Sequence, residues 1–307
     1  MEVKSKIGIY AAMAANIAIA IVKFIAASIT GSSAMLSEGI HSAVDSSNEL
    51  LLLWGIHTSK KPADEMHPFG YGQELYFYTL IVSVLIFGLG GGMSVYEGVM
   101  HITHPVVSQD NTWNYIVLAF SAVFEGISLW IPLKGFFKEH GSANFWHKLR
   151  SSKDPSFFVI IFENGAALIG LFIAFCGVFF SSYFNMPILD GVASILIGLV
   201  LAFVAIILII ESRNLLIGES ATKEKIDKIY EIVDADPDVL KLNRPLTMQM
   251  GPNEFLLALD VKFENKLNSG DVTKAVKRLE ENIRKELPDV KKIFIEASNL
   301  AELKPGN

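Results

Sequence analysis

Six stretches of this chain are each long enough and apolar enough to cross a bilayer: residues 7–29, 34–56, 75–99, 113–133, 157–180 and 188–210. A hydrocarbon core about 30 Å thick needs about 20 apolar residues, and inside it the backbone must satisfy its own hydrogen bonds. The pattern therefore predicts an all-α six-helix transmembrane domain over residues 1–212. The breaks agree with it. Thr30-Gly31-Ser32-Ser33 is a tight turn that makes the first two helices antiparallel neighbours. His104-Pro105 opens the connection between the third and fourth, and residues 181–187 separate the fifth from the sixth. The segment before Ile7 is too short and too polar for a cleavable signal, so the first run is read as a retained helix.

Charge orients the helices. Connections 30–33, 100–112 and 181–187 contain no Lys or Arg, whereas Lys4, Lys6, Lys60, Lys61, Lys134, Lys138, Lys148, Arg150 and Lys153 all fall on the other side. The positive-inside rule places that side in the cytoplasm, and an even number of spans returns the chain to it. Both termini are expected to be cytoplasmic in a multi-pass protein, with a bacterial inner membrane the expected location. An organellar membrane would call for targeting information. Net charge, −6, averages over two unlike halves and is uninformative about partners. No basic patch with interleaved aromatics occurs, which argues against nucleic acid. Cys176, the single cysteine, lies in an apolar run and reads as a small packing residue.

Beyond residue 212 the character changes. Residues 222–234 have helical apolar spacing, 245–250 and 255–263 read as strands around Gly251-Pro252-Asn253, 272–287 as a second amphipathic helix that Pro288 ends, and 290–296 as a last strand. The order αββαβ predicts a small cytosolic α+β, ferredoxin-like domain over residues 213–307, with helices on one face of a sheet. Leu256, Ala258, Val261 and Phe263 do not alternate, which predicts a bulge or an extra buried position. A domain this small has a face suited to pairing with a second copy, so a homodimer is expected.

His41 and Asp45 lie inside the second apolar stretch. A carboxylate at that depth costs roughly 2.5–3.5 kcal/mol on insertion scales and faces a cavity, a partner or an ion. Residues four apart share a helical face with Cβ atoms about 5–6 Å apart, so both side chains reach one point. Imidazole nitrogen with carboxylate oxygen suits a divalent transition metal such as zinc.

Further motifs run along the chain. Asn16, Lys23, Thr30-Gly31-Ser32 and Ser37-Glu38-Gly39-Ile40-His41-Ser42-Ala43-Val44-Asp45 are joined by His67-Pro68-Phe69-Gly70-Tyr71-Gly72-Gln73-Glu74 and Asp190-Gly191-Val192-Ala193-Ser194. With six spans and a C-terminal αββαβ domain, this resembles the cation diffusion facilitator family of zinc transporters. The resemblance implies an ion held between helices two and five by two ligands from each. Helix five departs from the commonest pattern: Ile160 and Asn164 stand at the ligand positions, with Glu163 beside them. Glu163 followed by a polar residue resembles the mitochondrial-type zinc transporter branch, where a Glu-Asp pair occupies this place. The implied metal ligands are His41, Asp45, Glu163 and Asn164, the last either through its carbonyl oxygen or as a hydrogen-bonding neighbour. Such an oxygen-rich set opens the site to Mn²⁺, Fe²⁺ or Co²⁺ while Zn²⁺ leads.

The implied function is proton-coupled export of a divalent metal by alternating access. Metal ligation needs neutral imidazole and ionised carboxylates, so protons and metal compete for the ligands. The expected partners are the metal substrate, protons as counter-ion, lipid and a second subunit, with no cofactor. Glu38 and Asn48, near the His41 face, either orient the imidazole or, for Glu38, line the outer mouth of the pore. Glu49 is expected to point elsewhere. Glu125 could line the ion path, hold a proton or pair with Lys23, for which a structural ion pair is expected. Asp64 and His67 resemble two ligands of an interfacial zinc site whose third position is Tyr71, a poor ligand; the alternative is a structured loop. His57, His101, His104, His140 and His147 fall at helix ends and read as solvated. The C-terminal domain has no His or Cys, and Asp260 stands where relatives carry a histidine, which argues against a regulatory zinc cluster there. An intramembrane metalloenzyme lacks its HExxH arrangement here. A membrane metal sensor without flux lacks an output module.

Overall fold

The computed structural model describes residues 2–105, 111–140, 153 and 155–297. His147, Lys148 and Arg150, and the side chains of Lys4, Lys6 and His140, lie outside the described part.

Among the described residues, six long helices occupy the first two-thirds of the chain: α1 (Glu2–Thr30), α2 (Ser33–Ser59), α3 (Glu74–Thr103), α4 (Thr112–His140), α5 (Pro155–Phe184) and α6 (Ile188–Leu216). By length and hydropathy α3 to α6 each suffice to cross a membrane, and α1 carries an apolar stretch over Asn16–Thr30. α2 is 27 residues long, but Glu38, His41, Asp45, Asn48 and Glu49 lower its hydropathy.

Small and polar residues bring these helices together. Within α3, Ile86–Gly92 is wound as a π-helix. A Cβ built on Gly91 would stand 3.0 Å from the Gly198 carbonyl, and one on Gly98 would stand 2.5 Å from the Gly191 carbonyl. The reciprocal distances, from Gly198 to Gly91 and from Gly191 to Gly98, are 2.7 and 2.8 Å. Two glycine pairs, each spaced seven residues along its helix, thus let the antiparallel backbones of α3 and α6 touch. Packing therefore accounts for Gly91, whereas Gly88 has open space around it.

The start of α2 is fixed from α6. Ser32 Oγ accepts from the Met35 amide at 3.1 Å as an N-cap, and donates to Asp190 Oδ1 at 2.8 Å. Asp190 Oδ2 accepts from the Ser33 and Ala34 amides at 2.5 and 3.3 Å. A carboxylate on orphan N–H groups at a helix N-terminus satisfies both partners where no water reaches. Ser37 Oγ lies 2.5 Å from Ser194 Oγ, which donates to the Ser94 carbonyl at 2.8 Å, so one hydroxyl chain links α2, α6 and α3.

The second unit joins residues from Asn214 onward with the loop Ser59–Gln73. Its elements are α7 (Lys223–Asp234), β1 (Val239–Leu242), β2 (Leu246–Gly251), β3 (Glu254–Phe263), α8 (Ser269–Glu286) and β4 (Val290–Ala297). The α+β class is as expected, with one added strand, β1. β3 pairs in parallel with β4 along one edge. Its other edge is shared: β2 pairs antiparallel with the first half of β3 and β1 with its end. Phe255, Leu257, Leu259, Val261 and Phe263 are buried in strict alternation, so β3 itself carries no bulge. Leu256 and Ala258 belong to the other, half-buried face, and the register shifts fall at Val239/Lys241, Gln249/Gly251 and Phe255/Leu256 in the strand pairings. Against the buried face lie Ile229 and Val233 of α7 and Ala275, Leu279 and Ile283 of α8, the latter at four-residue spacing. Asn268 caps α8, its side chain accepting from the Gly270 and Asp271 amides at 2.9 and 3.0 Å.

Within this unit the loop 59–73 is built closely. Tyr71 Oη donates to Asp64 Oδ2 at 2.6 Å, and the His67 amide donates to Asp64 Oδ1 at 2.7 Å. These bonds hold the Asp64 carboxyl below its usual range. Phe69 meets Phe294 of β4 edge to face at 6.5 Å between ring centroids. A side chain on Gly72 would collide with the Met250 carbonyl. Asp64, His67 and Tyr71 are thus engaged in structuring the loop itself.

Candidate functional site

His41, Asp45 and Asn48 follow at four- and then three-residue spacing, which sets them on one face of α2. Glu163 comes from α5, and Asn48 joins the two helices: its Nδ2 donates to Glu163 Oε1 at 2.7 Å. Asp45 interacts directly with Glu163, carboxyl to carboxyl. On its other side, Asp45 Oδ1 lies 3.2 Å from His41 Nδ1. His41 and Asn48 are fully enclosed; despite their closeness His41 Nδ1 and Asp45 Oδ1 are not aligned for a hydrogen bond, and among the described residues neither they nor His41 Nε2 and Asn48 Oδ1 have a hydrogen-bond partner. Buried acceptors without donors are costly, and a cation is one group that would satisfy several of them together.

Asp45 and Glu163 open onto a cavity of about 500 Å³. Glu49, Glu125 and Asn164 also line it. Four carboxyl groups therefore face one space inside apolar helices. Glu49 departs from expectation: it sits one turn beyond Asp45 on the cavity side and accepts from Asn16 Nδ2 at 2.8 Å. The signal was present, since Asp45 and Glu49 have the same four-residue spacing as His41 and Asp45.

Asn164 has a separate explanation. Pro132 lies inside α4 and lacks the N–H that would bond the carbonyl four residues earlier, that of Ser128. Asn164 Nδ2 approaches that freed carbonyl at 3.5 Å, a long contact, while its residue stays half-buried at the cavity wall.

Lys23 forms an ion pair, but with Glu38 and not with Glu125. Its Nζ lies 3.1 Å from Glu38 Oε2 and donates to Ser42 Oγ at 2.7 Å, with both ionic side chains fully buried. Glu38 therefore faces Lys23, not the imidazole. Its other oxygen rests against α5, where a Cβ on Gly170 would lie 2.5 Å from Oε1. In this conformation no three His, Cys, Asp or Glu side chains among the described residues already converge on one point. His41 is brought to Asp45, and Asp45 to Glu163, as a chain and not as a closed cage.

A membrane bundle with a carboxylate-walled chamber and an enclosed imidazole beside it defines a polytopic membrane protein with cation-attracting chemistry at its centre. Residues 9–217 match the cation efflux transmembrane domain family, and the chain belongs to that family, one of transporters and not of enzymes. The mouse protein named proton-coupled zinc antiporter SLC30A9, mitochondrial, is 32% identical over 247 residues, covering 80% of this chain and 44% of that one. Metal tolerance protein C4 of Arabidopsis thaliana is 29% identical over 242 residues, 78% of this chain and 52% of the relative. The cation-efflux pump FieF of Yersinia enterocolitica is 25% identical over 240 residues, 77% of this chain and 74% of that pump. The chain thus spans about half, or less, of the length of the first two relatives.

Proposed function

We propose that this protein exports a divalent metal cation, Zn²⁺ foremost, across a membrane in exchange for protons. The observation that carries the reading is the meeting of Asp45 and Glu163 across α2 and α5 at a polar cavity, with His41 3.2 Å from Asp45. In the proposed site His41, Asp45 and Glu163 ligate the ion. Asn164 at the cavity wall supplies an amide oxygen, and Asn48 holds Glu163 in place. Names of the relatives, a proton-coupled zinc antiporter and a cation-efflux pump, support the substrate class and the counter-ion.

The cycle follows from ligand chemistry. Ionised carboxylates and a neutral imidazole take the metal and give up protons; on the far side protons return to the same atoms and release the ion. Carboxylates that face one another inside lipid repel when both are ionised, so either a proton or a cation must sit with them. That requirement is the coupling. The helices must expose the chamber to one side at a time. The lysine-bearing loops support cytoplasmic termini and a bacterial inner membrane, and the C-terminal domain supplies a face for a homodimer.

Uptake into proteoliposomes under an imposed pH gradient tests this, with Zn²⁺ and Mn²⁺ compared. Gradient-driven flux should fall on the order of 100-fold in Asp45→Ala, at or beyond the 10–100-fold produced by losing a residue that merely supports a ligand. Flux that survives Asp45→Ala and Glu163→Ala would remove the site. A preference for Mn²⁺ would assign the oxygen-rich chamber to a harder ion.

A further inference from the structure

Metal-type side chains also gather around the first turn of α2, away from the proposed transport site. Glu97 and His101 lie one turn apart on α3, and His104 follows just past its last residue, Thr103. All three line a separate cavity of about 330 Å³, together with Ser32 and Ser33. Ser33 precedes Asp45 by twelve residues, about 18 Å along a helix at 1.5 Å per residue, so the two cavities occupy different halves of α2.

Three observations point to a cation there. His101 is buried, and its Nε2 lies 3.8 Å from Asp190 Oδ2. At that distance Asp190 gives His101 a neighbouring negative charge without a hydrogen bond, and neither ring nitrogen is tied to it. His104 contacts Thr103 Oγ1 through Nδ1 at 3.0 Å, which leaves Nε2 for a ligand. Finally, Ser33 Oγ is enclosed without a hydrogen-bond partner among the described residues, in a residue 1% exposed at the cavity wall. The carbonyl end of α3 adds negative potential at the same place, since His101 lies in its last turn and His104 follows directly after it.

We propose that this cavity is a second divalent-cation site, with Glu97, His101 and His104 as ligands and the Asp190 carboxylate adding negative charge beside it. The three ligands do not already close on one point, so binding requires side-chain rotation and is weaker than at a preformed site. Ligation here does not depend on transport through Asp45, and the test keeps the two apart.

The test is a Co²⁺ titration of the full-length protein in detergent, in an Asp45→Ala/Glu163→Ala background, read by the visible absorption of cobalt bound to imidazole and carboxylate. A saturable band is expected, weakened about tenfold or more by Glu97→Gln/His104→Gln. His104→Gln alone changes an exposed residue and should weaken the band with the fold intact, which keeps the test decisive if the double change fails to fold. No band in the background variant overturns the proposal, as does a band unaffected by His104→Gln or one lost instead on His67→Gln in the loop. Failure of Asp45→Ala to stop flux would sink the transport site and leave this titration unchanged.

Discussion

The two units of the chain bury opposite things. In the membrane unit Lys23, Glu38, His41, Asn48, Asn114 and Ser194 are enclosed, while Ile21, Ile25, Phe172 and Phe203 face outward. In the C-terminal unit Ile229, Phe255, Leu257, Leu279 and Ile283 form the interior, and Asp236 and Gln249 are its buried polar residues among those described. The reason lies in the surroundings. Water expels apolar surface and so builds the second core. Lipid does not, because an outward Phe there is already solvated by hydrocarbon; helices then hold together by close glycine contacts and polar pairs. A polar interior is consequently where an ion can bind, its ligands kept at a cost that the ion itself offsets.

Removing half of a buried polar pair should hurt most. Glu38→Ala leaves the Lys23 ammonium uncompensated and should destabilise the membrane unit by about 3–5 kcal/mol, read as thermal unfolding in detergent. Lys23→Met/Glu38→Met should recover most of that loss. Equal damage from the double and the single change would show that something other than the pair is at stake.

An apolar deletion should strike the other unit. Leu279→Ala opens space beneath β3 and should cost about 2–5 kcal/mol in denaturant unfolding of the full chain, assigned to the loss of sheet signal. Should the whole helical signal be lost in the same step, and not only the part that α7 and α8 contribute, the two units would be one cooperative block and the contrast would fail.

The smallest effect concerns charge at the soluble surface. Arg278 Nε and Nη2 donate to the two oxygens of Asp236 at 2.7 and 2.6 Å, and these bonds hold the Asp236 carboxyl below its usual range. A depressed folded pKa means stability that is complete above the ordinary carboxylate value, about 4, and lost as pH falls through the lower folded value. Because the Arg278 side chain is 40% exposed, Asp236→Asn should cost only about 1–2 kcal/mol at neutral pH. Melting curves from pH 6 downward should then show a flatter acid limb. An unchanged limb would mean the bridge contributes nothing.

Much of this architecture was legible from hydropathy, because a span of about 20 apolar residues has few alternatives in lipid. The α+β order of the second domain was legible from periodicity, and so was the placement of His41 and Asp45 on one helical face. What escaped depends on rotation and contact between elements. Glu49 shares its spacing with that pair, yet the cavity edge is set by how α4 and α5 lean against α2. Lys23 found Glu38 and not Glu125, a choice between two acids that no pattern within one helix encodes. β1 is four residues long with two of them exposed, too brief for alternation to announce it. The role of Pro132 in exposing a carbonyl to Asn164 follows from covalent chemistry, but only once the partner helix is in view.

Gly72 has a mechanical meaning. The loop that leaves α2 passes so near the Met250 carbonyl that the chain has no room for even a methyl group, and Phe69 braces it against β4. A connection held this firmly behaves as part of the C-terminal domain and not as a free linker: the loop folds with the sheet, so a change at Gly72 would be felt as a defect of that domain.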